Sequence, residues 1–409
     1  MSKENTPRRW KLTTAILSLS LLTVMAGAAV APALSLIQDY FKNVDSMFVQ
    51  LIISMPALFI AITNAFFPKL AARFKARTLV IMGLLLYVIF GCGAGLFTNI
   101  ILILICRALV GVGVGIIMPL STGLISFYYT KDKQDRLMGM SSAMNMMGGV
   151  VATLIAGLLA QISWQHAFLV YLMGLISIIL CAMWMPNESI APGDSDSSGR
   201  QKETAQESSF KKYYAYIIAI FLVMLTFFIY PADFAMESAR MHLVPEKFVA
   251  AVMASGDIFG FFGGLAYAGM RKHLKGATRF AAPLLFFVGY LILTTVTNFG
   301  GAVAGSWFIG FANGVGIPFI ISSASIKAGK NAASTVMPLL SISMYLSQFL
   351  APFILSGLEK LMGTFIPGFH SFQAAMITAA LLFFWSFTIK GSAQLPQKPQ
   401  IHQEKHQKH

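Results

Sequence analysis

The chain has 409 residues, 56% of them hydrophobic and only 11% charged, with a net charge of +14. Soluble globular domains carry about 25% charged residues, so too little polar surface is available here to coat a water-soluble body. The composition excludes a soluble enzyme, a disordered chain and a nucleic-acid-binding domain, and leaves an integral membrane protein.

A spanning helix takes roughly 20 apolar residues. Twelve apolar stretches follow one another at about 12–38, 47–68, 78–98, 100–127, 137–162, 165–185, 213–236, 247–270, 278–298, 301–326, 332–359 and 367–389. Only helices or closed barrels satisfy the backbone inside lipid, and barrel strands need only about ten alternating residues. The expected fold class is therefore all-α, with twelve transmembrane helices. The polar, basic stretch from Met1 to Lys11 precedes the first run, which lacks a cleavage-site pattern and reads as a span rather than a removed signal peptide. Cys92, Cys106 and Cys181 all lie in apolar stretches, so no disulfide framework is implied.

The loops set the orientation. With a cytoplasmic N-terminus, 25 of the 30 Lys and Arg residues fall in inner segments, four (Lys42, Arg240, Lys247 and Lys360) fall outside, and Arg107 alone lies within a span. Such a bias is the topology signal of inner loops, and it accounts for the basic charge without a nucleic-acid partner. The polar stretch 186–212, rich in Ser, Asp, Glu and Gly, has too little apolar content to order itself. It divides the chain into an N-terminal six-helix bundle (1–185) and a C-terminal six-helix bundle (213–390), followed by a disordered cytoplasmic tail (391–409).

The two bundles repeat at an offset of about 200 residues. Gly113-Val114-Gly115-Ile116 matches Gly314-Val315-Gly316-Ile317, Lys75 and Thr78 match Lys275 and Thr278, and Gly157 matches Gly357. Parallel repeats of this kind belong to transporters that hold their substrate between the halves, near the midplane.

The fourth span carries Arg107 followed by Gly111, Gly113 and Gly115. The stretch is similar to the R-x-x-x-G-x-G pattern of the major facilitator superfamily, and the chain resembles that family from about Leu12 to Lys390, most nearly its twelve-span drug:proton antiporter branch of bacteria. The resemblance implies two six-helix pseudo-repeat bundles in the bacterial inner membrane and a proton-coupling role for Arg107. A cation in a span is costly and faces a cavity or counter-charge; a tether to neighbouring carbonyls is the other reading. The glycines, with Gly157 in the fifth span, permit close helix approach. In the loop after the second span Arg73 and Arg77 fit the family's gating motif. Pro68, Ala72 and Lys75 depart from it, so fixing topology is the better reading there. The fifth span lacks the branch's Gly-Pro pair. Trp164 and Phe168 fit a family W-x-x-x-F pattern and fit an interfacial aromatic belt equally well.

Among the acidic residues Asp257 stands out, about ten residues into the eighth span and so roughly 15 Å deep. A carboxyl there is expected to be protonated, paired or facing water, and one that loads and releases a proton suits an antiporter; a helix-packing carboxyl is the alternative. Asp233 and Glu237 follow Pro231 and share a helix face, where either would attract a cationic substrate. Glu237 is expected among outer headgroups, and Asp39 and Glu359 as solvated helix ends. Asn145, Gln161, Asn313, Tyr345 and Gln348 are candidate cavity residues. The 34 Phe and 23 Met favour adaptable apolar contacts and aromatic faces for cations over a sugar site.

No nucleotide-binding loop, metal signature or catalytic cluster is present, so no cofactor is expected. The expected partners are a small-molecule substrate, protons and membrane lipids, with the chain working as a monomer. The resulting expectation is a secondary transporter that exports lipophilic, cationic compounds against protons. The rivals are a metabolite or sugar transporter on the same fold, and a non-transporting membrane sensor or scaffold.

Overall fold

The computed structural model describes residues 6–188, 199–328 and 336–389. The tail expected at 391–409, and the start of the span expected at 332, lie outside the described residues. Among these residues the chain forms α1 (Thr6–Ala28), α2 (Leu34–Tyr40), α3 (Ser46–Arg73), α4 (Ala76–Gly93), α5 (Ile100–Tyr128), α6 (Lys131–Ala160) and α7 (Met173–Trp184). They are followed by α8 (Gly199–Arg240), α9 (Glu246–Leu274), α10 (Ala281–Thr295), α11 (Phe299–Ala328), α12 (Met337–Gly363) and α13 (Ser371–Trp385).

Among the described residues, ten segments are long and apolar enough to cross a bilayer. One of them, Glu246–Thr295, holds α9 and α10 in tandem, and α13 is a shorter apolar helix of 15 residues. The first apolar run breaks at Ala31–Ala33 because Pro32 has no N–H to continue the ladder. The central segment differs from expectation. Helical backbone begins at Gly199, inside the stretch read as loop, and residues 189–198 lie outside the described part. The run Arg200–Glu207 is rich in strong helix formers (Arg, Gln, Lys, Glu, Ala), and low hydrophobicity does not prevent such a run from extending an existing helix.

Small residues set the packing. A Cβ on Gly111 would collide with the Pro56 carbonyl and one on Gly115 would meet Thr63 and the Ile60 carbonyl, so α5 lies directly against α3. In the second half, Gly310 and Gly314 press in the same way on the carbonyls of Gly256 and Gly260 in α9. Asn99 and Asn298 begin the two equivalent helices, their side chains accepting from Ile101 N at 2.9 Å and Gly301 N at 2.8 Å. Pro119 and Pro318 interrupt both helices at the same level. The packing repeat of α5 and α11 thus runs at an offset of 199. The Gly-Val-Gly-Ile match is out of register by two: Gly113 faces Gly83 of α4, whereas Gly314 faces α9. At the packing offset, Arg107 corresponds to Ser306.

The two halves meet along α3 with α12 and α6 with α9. In α6, Gly148, Gly149, Val150, Ala152, Thr153 and Ala156 are buried, whereas over 139–147 only Ser141 is. In α3, Val49–Ser54 are buried, whereas Ile62, Ala65 and Phe66 are exposed. The seam is closed at the end away from the Lys- and Arg-rich loops and loosens toward the basic end.

Candidate functional site

At its closed end the seam is bridged by polar groups. Gln50 of α3 donates through Nε2 to Asp233 Oδ1 of α8 at 2.9 Å, and both residues are buried. The exposed pair Lys360 and Asp45 lies 3.7 Å apart across the same boundary. Below them Gly157 of α6 abuts Ala250 of α9 so tightly that any Cβ would collide, while nothing lies within 4 Å of a Cβ on Gly357.

Beside this bridge is a cleft of about 680 Å³. Asp39, Ser46, Arg240, His242 and Glu246 are exposed around its mouth, and Gln50, Asp233, Glu237 and Ser238 are buried at its floor. Glu359 is half-buried in its wall, not a solvated helix end. Glu237 is only 7% exposed, which corrects its expected place among headgroups: the turn after α8 folds Leu243 back onto the Ser238 carbonyl at 3.0 Å and covers it. Glu237 Oε2 lies 3.2 Å from an Arg240 guanidinium nitrogen and 4.0 Å from His370 Nδ1.

Asp257 lies apart from this cleft, further along α9 toward the basic end. It is half-buried and faces α6, where a Cβ on Gly149 would come 3.8 Å from its Oδ2. Its counterpart in the first half is Ala57 in α3, at the offset of 200 that relates Pro56 to Gly256. The carboxyl therefore belongs to one half only and sits on the seam.

Arg107 is fully buried. Its Nε donates to the Ile52 carbonyl at 2.6 Å, and its two terminal nitrogens donate to the Tyr171 hydroxyl and the Ala26 carbonyl. Tyr171 in turn donates to Ala26 O at 2.9 Å, and its ring centroid lies 5.5 Å from the guanidinium carbon. The cation is held by main-chain dipoles and an aromatic face. These bonds tie α1, α3 and the turn before α7 together. Ser306, at the equivalent position, takes the Tyr230 hydroxyl at 2.7 Å instead.

The other candidates separate. Thr23 donates to Asn145 Oδ1 at 2.6 Å within the first half. The Tyr345 hydroxyl reaches Met118 Sδ at 2.7 Å across the seam. Asn313 Oδ1 is buried without a hydrogen-bond partner, Gln348 is half-buried, and Gln161 is exposed at the end of α6. Asp233 and Glu237 share the cleft, and none of the mid-depth polar residues lines it. Where α3 turns into α4, Arg73 at the end of α3 is exposed, while Arg77 in the first turn of α4 donates to the Ala182 carbonyl at the end of α7. Arg279 repeats this in the second half, donating to Ile389 O at 2.9 Å. Trp164 and Phe168 are buried against one another, with ring centroids 6.3 Å apart, and form no interfacial belt. Gln50, Tyr171 and His370 were not singled out from sequence, because an uncharged polar residue in an apolar run or turn carries no signal of its distant partner.

The Major Facilitator Superfamily sequence profile matches residues 16–352. An uncharacterized transporter of Schizosaccharomyces pombe is 29% identical over 154 residues, 38% of this chain and 31% of its own length. The quinolone resistance protein NorA of Staphylococcus aureus is 24% identical over 256 residues, 61% of this chain and 64% of its own. The chain thus spans less than two thirds of either relative. Among solved structures, a bacterial homolog to the human lysosomal transporter Spinster superposes with a TM-score of 0.71 at 17% identity, covering 96% of this chain and 100% of that one. The xylose transporter XylE from E. coli gives 0.70 at 12%, covering 94% and 99%. Identities this low establish a common fold.

Proposed function

We propose that this chain, which belongs to the Major Facilitator Superfamily and is a transporter rather than an enzyme, exports lipophilic cationic compounds in exchange for protons. In this reading the tandem α9–α10 segment crosses the membrane twice and α13 crosses once, giving twelve spans in two six-helix bundles (1–185 and 213–390). Both termini face the cytoplasm of a bacterial inner membrane. The halves rock about the seam, alternately opening the basic and the opposite end.

The observation that carries the reading is the position of Asp257, a carboxyl on the seam between α6 and α9 with no counterpart in the other half. Ionisable groups at membrane depth belong to ion pathways by default, and a carboxyl on a moving seam changes surroundings whenever the halves move. Arg107 enters coupling as the tether that makes α1, α3 and the Tyr171 turn move together. Asp233 and Glu237 draw cations to the outer end, and Asn145, Asn313, Tyr345 and Gln348 supply polar contacts along the path. The reading of drug-like compounds as substrates draws support from NorA, a quinolone resistance protein.

Uptake of a lipophilic cationic dye into inverted membrane vesicles tests the reading. Accumulation is expected with an acid-inside pH gradient and is lost when an ionophore collapses that gradient. Accumulation that persists without the gradient overturns proton coupling, and none under any gradient overturns cation export.

A further inference from the structure

The outer cleft differs from the mid-depth path in what it lacks. Glu237 Oε2, Ser238 Oγ and Gln38 Oε1 all belong to its wall, and each is buried without a hydrogen-bond partner. Ser238 is wholly buried and Glu237 nearly so. A carboxylate and an amide oxygen are acceptors, so the missing groups are donors, and leaving such atoms unpaired when buried is unfavourable. The wall also gathers carboxyl groups: Asp39, Asp233, Glu237, Glu246 and Glu359 line it together with Arg240. Arg240 forms an ion pair with Glu237 Oε2 at 3.2 Å from a side chain that is 57% exposed, which leaves the pair accessible to exchange with a competing cation. The volume, about 680 Å³, is typical of small-molecule sites, which run from about 300 to 1,000 Å³.

We infer that this cleft is a binding site for an organic ammonium ion carrying N–H donors, entered from the outer end and separate from the path past Asp257. The inference rests on the reading that Asp233 and Glu237 face a cationic ligand, and adds the kind of cation and the place. The exposed carboxylates at the mouth attract the ion, and the buried acceptors at the floor select its N–H groups. Charge alone would admit a quaternary ammonium equally; orphaned acceptors do not. Gln38 and Gln50 come from the first half, and Asp233, Glu237 and Ser238 from the second, so a bound ammonium bridges the closed seam.

Isothermal titration of 1,6-diaminohexane into the purified full-length chain in lipid nanodiscs tests the site. Hexamethonium is the comparison, with the same charge and spacing but no N–H. Saturable binding of the diamine is expected, at least tenfold tighter than hexamethonium. Glu237→Gln weakens it tenfold or more, Gln38→Leu severalfold, and Gly357→Ala, a position in open space, leaves it unchanged. If Glu237→Gln does not fold, Gln38→Leu and Ser238→Ala carry the same comparison. Equal binding of hexamethonium overturns the donor argument. Binding lost in Asp257→Asn but kept in the cleft variants overturns the location, and no saturable binding by the folded wild type overturns the site. Diamine binding without dye export would sink the export reading and leave the cleft; dye export without diamine binding would do the reverse.

Discussion

Gln50 and Asp233, 183 positions apart in the sequence, meet at 2.9 Å in a buried hydrogen bond that joins the two halves at their closed end. Removing the donor takes a buried hydrogen bond from the Asp233 carboxyl. Gln50→Leu is expected to cost about 1–3 kcal/mol, all of it in the arrangement closed at the end away from the basic loops. A maleimide reagent applied from the outer side should then label a cysteine introduced at Ala239 roughly tenfold faster than in the parent. Unchanged labelling would mean that the bond does not hold the seam.

Gly157 offers a steric test of the same seam. Gly157→Leu should prevent α6 from closing on Ala250, abolishing transport while leaving insertion intact. Gly357→Ala is the control, since open space surrounds that position, and it should transport as the parent does. Loss of transport in both would point to the repeat rather than to the seam.

Arg107 serves three acceptors on distant segments. Arg107→Lys supplies a charge without the fork that reaches Ile52, Ala26 and Tyr171 together. Breaking such a buried network costs about 3–5 kcal/mol, so the unfolding midpoint should fall by on the order of 5 °C or more. Activity should fall without a shift in pH optimum. An Arg107→Lys variant of normal stability whose pH optimum has moved would assign the proton to Arg107.

Most of the helical layout was legible because bilayer spans need long apolar runs and basic loops, both properties of the linear sequence. The helix break at Pro32 and the start of α8 at Gly199 were missed, since hydropathy does not report where a backbone ladder is interrupted or extended. Identical letters misaligned the repeat by two residues; its packing register follows Asn99 with Asn298, Gly111 with Gly310 and Pro119 with Pro318. Arg107 was conspicuous as a lone cation in a span, but its partners are two carbonyls and a tyrosine, which sequence does not mark. Asp233 and Glu237 were recognised as a pair, whereas their burial depends on Gln50, Leu243 and His370, contributed by segments remote from α8 or by the turn that follows it.

The most direct measurement concerns Asp257. Purified chain in proteoliposomes, with a pH-sensitive dye in the lumen and a cationic fluorophore as substrate, reports proton and substrate movement together. The account predicts opposed proton and substrate fluxes in the parent. In Asp257→Asn, inserted and folded normally, substrate addition should move no protons and a pH gradient should drive no substrate. Gradient-driven transport by Asp257→Asn, with protons still moving, would contradict it.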